Sequence, residues 1–310
     1  MSQTVFIDGA VGTTGLEIGD RLAGRSEFEL VRLPEDQRKD ANARRDAINS
    51  SDFVILCLPD DAAKEAVTLI DNPKTRVIDG SSAHRTAPGW VYGFHEFRRG
   101  QLNMIKEARF VSNPGCYPTG FLALVAPLVA KDLLPADWPY SVNAVSGYSG
   151  GGKALVERFA SEPDIGVRNY GLNLDHKHMP EMKRHAGLQH DVIFAPSVIR
   201  AYRGMLVEVP LNLVAMNGEV KAAQLLETLQ AHYEVSPIVH VHNGSGMTEL
   251  LLGENDQPTD RLDLYVFADP GGDRVRLIAR LDNLGKGAAG SAVQDLNIMA
   301  GLDETAGLRL

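Results

Sequence analysis

The chain has 310 residues, 44% hydrophobic and 23% charged, with a formal net charge of −9. At roughly 100 to 200 residues per domain, this length exceeds one small module and points to two domains. The acidic balance argues against a broad nucleic-acid-binding face, no run approaches the roughly 20 uninterrupted apolar residues of a membrane span, and residues 1–6 lack the basic-then-apolar pattern of a secretory signal, so a cytoplasmic location is expected.

Residues 4–7 form a short β-branched apolar run that ends in Asp8, Gly9, Ala10, Val11, Gly12, Thr13, Thr14 and Gly15, ahead of helical spacing through Leu16, Ile18 and Leu22. Strand, glycine turn and helix in that order suit a pyrophosphate. Gly9, Gly12 and Gly15 let backbone N–H groups approach the anion, and the helix start at Thr13 and Thr14 adds favourable partial charge. The alternative is a tight strand-to-helix turn without ligand. Residues 28–31, 53–58 and 76–79 read as further strands, with helical segments at 41–49 and 62–70. Such alternation implies parallel βαβ units and hence an α/β chain that opens with a Rossmann-like doubly wound parallel sheet. After the second strand, an acid would read a ribose 2′-hydroxyl and an arginine a 2′-phosphate. Here Arg32, Arg38, Arg44 and Arg45 compete with Glu35 and Asp36, and Arg32, at the strand end, tilts the reading to NADP.

Two cysteines do not make a disulfide framework, so each is explained singly. Cys57 lies in the apolar strand 53–58 and reads as a small hydrophobe with an unreactive thiol. Cys116 stands in Ser112-Asn113-Pro114-Gly115-Cys116-Tyr117-Pro118-Thr119-Gly120, a turn that opens a helix over about 119–131. Helix N-terminal N–H groups stabilise a thiolate there, which suits a nucleophile; the bland reading is a cysteine placed at a turn by chance.

Beyond residue 140, alternating segments at 140–145, 192–196, 204–212, 262–267 and 274–281 point to an α+β domain with a mixed or antiparallel sheet. Ser146-Gly147-Tyr148-Ser149-Gly150-Gly151-Gly152-Lys153 joins a strand to a helical pattern. The hydroxyls of Ser146 and Ser149 and the amine of Lys153 suit phosphate or carboxylate, unless the segment is merely a flexible connection. The run Asp175-His176-Lys177-His178-Met179-Pro180-Glu181-Met182 serves general acid–base chemistry with Glu181 orienting an imidazole, or a zinc site of His176, His178 and His185, or a polar loop. Without an H-E-x-x-H helix or a second cysteine cluster, no metal is expected. The partner of the apolar helical stripe Val293, Leu296 and Met299 does not follow from spacing alone.

The setting of Cys116, the run from His176 to Glu181, and Asp282-Asn283-Leu284-Gly285-Lys286-Gly287-Ala288-Ala289-Gly290 together resemble the N-acetyl-γ-glutamyl-phosphate reductase family of arginine biosynthesis, in its shorter subtype. The resemblance implies NADP(H) as cofactor, with Asn283 beside it, Cys116 as nucleophile, and the family's histidine motif on His176, His178 and Glu181. It also implies a last helix that returns to the dinucleotide domain, so the expected division is 1–115 with 286–310, and 116–285. The implied reaction is NADPH-dependent reduction of an acyl phosphate to a semialdehyde through a Cys116 thioester, with His176 or His178 giving the proton. Arg85 and Lys153 are the candidates for binding phosphate or carboxylate, Arg85 through a bidentate fork. Family members associate, so a homo-oligomer is expected, with the exposed sheet face as its interface. The family often carries an aromatic residue where Thr13 or Thr14 stands. Rival readings are an aspartate-semialdehyde-type dehydrogenase with the same thioester scheme, a zinc hydrolase, and a non-catalytic NADP sensor.

Overall fold

The computed structural model describes residues 2–216 and 219–310. The chain forms two compact units: one comprises the chain up to His95, Gly100–Gly115 and Ala288–Leu308, the other Glu96–Arg99, Cys116–Gly287 and Arg309–Leu310.

In the first unit, strands β1 (Gln3–Asp8), β2 (Phe28–Val31), β3 (Phe53–Leu56), β4 (Arg76–Asp79), β5 (Val91–Tyr92) and β6 (Phe110–Ser112) pair in the order β2-β1-β3-β4-β6-β5, all parallel. Helices α1 (Thr13–Leu22), α2 (Ala41–Ser50), α3 (Asp60–Thr68) and α4 (Gln101–Glu107) connect them. Alternation along β1 sorts its side chains to two faces. Val5 and Ile7 join Ile18 and Leu22 of α1 and Val293 and Leu296 of the C-terminal helix, Gly290–Ala300. Phe6 joins Ala47 and Ile48 of α2 and Ala63 and Ala66 of α3 on the other face. With both faces covered, β3 (Phe-Val-Ile-Leu) is buried throughout, as the continuous apolar run requires. Strand order reverses between β1 and β3, so the β1–α1 turn sits at the switch point where doubly wound sheets take ligands.

The second unit contains α5 (Cys116–Val129), β7 (Ser141–Gly147), α6 (Gly152–Ser161), β8 (Val167–Asn169), α7 (Met179–Ala186), β9 (Ile193–Ile199), β10 (Met205–Asn212), α8 (Leu213–Met216), α9 (Ala222–Tyr233), β11 (Val239–Asn243), β12 (Leu262–Ala268) and β13 (Arg274–Leu281). Its mixed sheet has the order β11-β12-β13-β10-β7-β9-β8, parallel at β11/β12 and β7/β9 and antiparallel elsewhere. From Tyr117 to Leu128 every residue of α5 is buried, the pattern of a helix enclosed on all sides. Gly120 brings this helix close to the sheet: a β-carbon there would lie 2.8 Å from Val207 Cγ2. The sheet's other face bears Leu206, Phe267 and Ile278 around a groove and the ion pair between Glu208 and Arg276.

Candidate active site

In the second unit, Cys116 is the first residue of α5 and is half-buried. Tyr117, which follows it, is almost wholly enclosed, with its ring 5.1 Å from that of Phe194 and 5.8 Å from that of His178. The Tyr170 hydroxyl donates to the Tyr117 hydroxyl at 3.2 Å. Burial pushes both phenols up, Tyr170 to about 12, and the Cys116 side chain adds to the shift on each. Both hydroxyls therefore stay protonated at neutral pH, Tyr170 spending its proton on Tyr117.

The His176 ring lies 4.8 Å from that of His178, 5.0 Å from Phe194 and 5.5 Å from Tyr170. His178 donates its backbone N–H to His176 Nδ1 at 3.2 Å, so the neutral His176 ring carries its proton on Nε2. Burial, and then the charge of Lys177, push His176 down to about 4. It is a neutral imidazole at physiological pH. His178 caps α7 and is buried, as is Glu181 in the first turn of that helix, where an acid complements the helix dipole. His185 sits in the last turn of α7 against Phe97, and among the described residues the three histidines of the zinc reading are not gathered as a ligand set.

Ser146, near the end of β7, and Ser149, in the turn that follows, are both buried. Ser146 hydrogen-bonds Tyr117, and Ser149 Oγ accepts from Asn283 Nδ2 at 2.8 Å. Asn283 Oδ1 is buried with no hydrogen-bond partner, an acceptor held ready for a donor. Asp282 fixes this segment by accepting from Arg203 Nη1 at 2.8 Å and from the Leu284 N–H at 2.9 Å. The following π-turn, Gly285–Ala289, places Lys286 in a buried ion pair with Glu96 at 2.7 Å, side chains 1% and 2% exposed. Lys153, by contrast, has a side chain 79% exposed on α6 and lies 3.8 Å from Glu157 rather than with the serines.

In the first unit the glycine turn is dictated by close backbone approach. Gly9 has φ +89°, and a β-carbon on it would stand 2.3 Å from the Cys57 carbonyl oxygen; one on Gly15 would stand 2.5 Å from Gly9 O. No side chain caps α1 at Gly12, which leaves the first-turn N–H groups at Thr13, Thr14 and Gly15 for an anion. These residues fit a dinucleotide pyrophosphate. Arg32 is exposed at the end of β2, and Arg38 is exposed beyond it. Arg44 is committed elsewhere, paired with buried Asp8 at 2.9 Å and with Glu65 at 3.4 Å, and Arg45 pairs with Asp71. Arg85 is buried, donating from Nε to Asn113 O and from Nη2 to Gly80 O, each at 3.0 Å.

Tyr117, Tyr170, Glu96, Lys286 and Arg203 were not singled out from the sequence, although Tyr117 lies inside the quoted Ser112–Gly120 stretch and Lys286 inside Asp282–Gly290. Their places follow from pairings across tens of residues.

Comparison with known proteins adds a second line. Residues 4–105 match the NAD binding domain of the semialdehyde dehydrogenases, and residues 116–283 match the dimerisation domain of the same family. The chain is 49% identical over 309 residues to N-acetyl-gamma-glutamyl-phosphate reductase 2 of Pseudomonas putida, covering 96% of each chain. It is 45% identical over 317 residues to N-acetyl-gamma-glutamyl-phosphate reductase of Trichormus variabilis, covering 98% of each, and 47% identical over 309 residues to that of Brucella anthropi, covering 97% of this chain and 99% of the other. Among solved structures, aspartate semialdehyde dehydrogenase II of Vibrio cholerae aligns with TM-score 0.70 at 15% identity over 97% of this chain and 99% of the other. The aspartate semialdehyde dehydrogenase of Candida albicans, solved with NADP, aligns with TM-score 0.65 at 14% identity over 99% of each. These two likenesses establish a shared fold.

Proposed function

The chain belongs to the semialdehyde dehydrogenase family, among its N-acetyl-γ-glutamyl-phosphate reductases, and from that premise we propose that it reduces N-acetyl-γ-glutamyl phosphate to N-acetylglutamate 5-semialdehyde and phosphate. The observation that carries the reading is the cluster in the second unit: Cys116 at the start of a wholly buried helix, flanked by two protonated phenols and packed with His176 and His178 through Tyr117.

The Cys116 thiolate attacks the acyl carbon, the C–O bond to phosphate breaks with its electron pair on the leaving oxygen, and a thioester remains. When bound, the nicotinamide supplies the hydride that lowers this acyl carbon to the aldehyde level. His178 is the proton donor in this scheme, because His176 is held neutral. His178 protonates the tetrahedral oxygen and takes that proton back as the carbonyl re-forms and the C–S bond breaks with its electron pair on sulfur, which returns the thiolate and releases the aldehyde. Glu181, in the first turn that His178 caps, orients it.

We assign the cofactor to the first unit, with Gly9, Gly12, Thr13, Thr14 and Gly15 holding the pyrophosphate and Arg32 reading the 2′-phosphate of NADP. In the second unit, Asn283 holds an unpartnered Oδ1 that a donor on a ligand would satisfy. The catalytic and substrate residues belong to the second unit, while Arg85 is held within the first by its bonds to Asn113 O and Gly80 O. Ser146 and Ser149 serve the substrate carboxylate, while Lys153, exposed on α6, contributes long-range attraction for an anionic substrate. Self-association through the open face of the mixed sheet is supported by the match of this unit to a dimerisation domain. A water-soluble acyl phosphate and a soluble cofactor fit reaction in the cytoplasm.

The test runs the reaction backwards: protein, N-acetylglutamate semialdehyde, phosphate and NADP, with NADPH formation followed and aspartate semialdehyde in a parallel cuvette. Phosphate-dependent turnover of the acetylated substrate alone is expected. Turnover of aspartate semialdehyde alone would keep the thioester chemistry and discard the substrate, and silence in both would discard the reading.

A further inference from the structure

Strand β8 edges the mixed sheet of the second unit and pairs with β9 in the register that sets Arg168 opposite Val198. Directly opposed residues share a face, and alternation along β9 gives that same face Phe194 and Pro196. It is the side on which Phe194 packs against the rings of Tyr117 and His176, at 5.1 Å and 5.0 Å. Arg168 is half-buried there, its guanidinium carbon 4.5 Å from the centre of the Tyr170 ring. Tyr170 is the residue whose hydroxyl donates to Tyr117. The charges of Cys116 and Arg168 both reach that hydroxyl, the first raising its titration and the second lowering it. Arg168 differs from nearby arginines in what it leaves unspent. Arg203 is paired with Asp282, and Arg200 gives Nε, Nη1 and Nη2 to the carbonyls of Ile165, Phe159 and Glu162. No carboxylate or carbonyl among the described residues accepts from Arg168.

We propose that Arg168 binds the α-carboxylate of the substrate, so that the enzyme selects an acyl phosphate whose far end is anionic. The inference rests on the substrate proposed above and deepens it. In N-acetyl-γ-glutamyl phosphate the amine is capped as an amide, so no ammonium beside the carboxylate balances its charge. Ser146 and Ser149 offer that group hydroxyls but no charge, and His176 is a neutral imidazole at physiological pH. A guanidinium brings a full charge and two parallel N–H bonds in the geometry of a carboxylate. Contact with an aromatic ring fixes where the guanidinium stands without giving its N–H groups an oxygen acceptor, so the fork is in place before the ligand arrives. Partial burial also strengthens the attraction beyond that of an exposed amine such as Lys153.

The test follows the reverse reaction with two substrates, N-acetylglutamate semialdehyde and its α-amide, in which a neutral group of similar shape replaces the carboxylate. The parent should favour the acid by about 10- to 100-fold in kcat/KM, chiefly through KM, the scale of hydrogen bonds to a charged group. Arg168→Gln keeps an amide donor and removes the charge. It should bring the two substrates close to parity by raising KM for the acid, with KM for phosphate and NADP near the parent values. A residue that only props β8 would lower both substrates alike, so an unchanged preference in Arg168→Gln would overturn the proposal, as would a parent that does not distinguish acid from amide. The rise in Tm given by N-acetylnorvaline and by its α-amide, which carry no aldehyde, reads the same recognition without turnover. The acid should stabilise the parent more than the amide does, Arg168→Gln should show no such difference, and equal shifts in the parent would overturn the proposal. A parent silent toward both semialdehydes but with this pattern of Tm shifts would discard the proposed reaction and leave the carboxylate site standing.

Discussion

Gly287 lies directly against Cys116: a β-carbon on residue 287 would stand 2.8 Å from Cys116 Cβ and 3.4 Å from its Cα. The cysteine has no room to retreat, because the helix behind it is enclosed on all sides from Tyr117 to Leu128. Gly287→Ala must therefore move the nucleophile or the π-turn. A displacement on the order of 1 Å at a reacting atom costs about 10²-fold in rate. We expect kcat/KM of Gly287→Ala to fall by at least that scale, while circular dichroism and Tm stay near the parent values. Full activity would show slack at this contact.

The two thiols separate by environment. Burial, with the like charges of Asp79 and Asp8 behind it, pushes the Cys57 thiol up to about 12, so it is a thiol and not a thiolate at pH 8. Iodoacetamide should label Cys116 first, and mass spectrometry of peptides after partial inactivation should find the loss of activity tracking modification at Cys116. Cys116→Ser should abolish turnover. Inactivation that tracked Cys57 would reverse the assignment.

The histidines should differ in kind. Removing a positioned acid–base group costs about 10²- to 10⁴-fold in rate, so His178→Gln should lose that much in kcat and lose one limb of the pH profile. His176→Phe should keep the limb and lose less. The opposite pattern would move the proton to His176.

His176 also links stability to pH. Unfolded, it titrates near the ordinary 6.5, and folded at about 4. Between these values the unfolded chain binds more protons, so this group's contribution is intact above about 6.5 and is lost as pH falls toward 4. Burial lowers His232 and His240 as well, so the informative quantity is a difference. Tm of the parent should drop more steeply than that of His176→Phe between pH 6.5 and 4, and parallel curves would refute the assignment.

Glu96 and Lys286 form an ion pair nearly sealed from water. Breaking such a pair from one side leaves an uncompensated buried charge, at a cost of about 3–5 kcal/mol. Lys286→Met should therefore lower stability by roughly that amount in urea unfolding, and the further change Glu96→Leu should recover much of it. If the double variant were no more stable than the single one, the pair's charges would not be the source of the loss.

What the sequence discloses divides by range. The Gly9 turn and the Cys116 turn were legible because positive φ, close backbone approach and a helix start are set within about ten residues of chain. Even there α5 begins at Cys116 and not near residue 119, since a proline is tolerated in a first turn. Arg44 was one of four arginines weighed for a 2′-phosphate, yet its partner Asp8 lies 36 residues earlier, and only the packing of α2 on β1 makes it an internal ion pair. Lys153 was read with its neighbouring serines, but α6 starts at Gly152 and carries Lys153 out toward Glu157. Tyr170 gave no signal, because its significance is a bond to a hydroxyl 53 residues away. Strands β5 and β8, two and three residues long, are too short to show a period, and the half-polar α9 was not marked out.

The return of the C-terminal helix to the first unit sets the schedule of synthesis against the order of the chain. Val293, Leu296, Ile298 and Met299 complete a core that Val5 and Ile7 begin. At roughly 5–20 residues per second, the ribosome delivers those two ends on the order of tens of seconds apart. Throughout that interval one face of the N-terminal sheet lacks part of its cover, while the mixed sheet receives its last strand when β13 ends at Leu281. The core begun first is thus closed only after the mixed sheet, and the nascent chain carries an apolar face that a holding chaperone would recognise. A nonsense codon just before Ala288 would consequently damage the N-terminal unit and spare most of what lies next to the break.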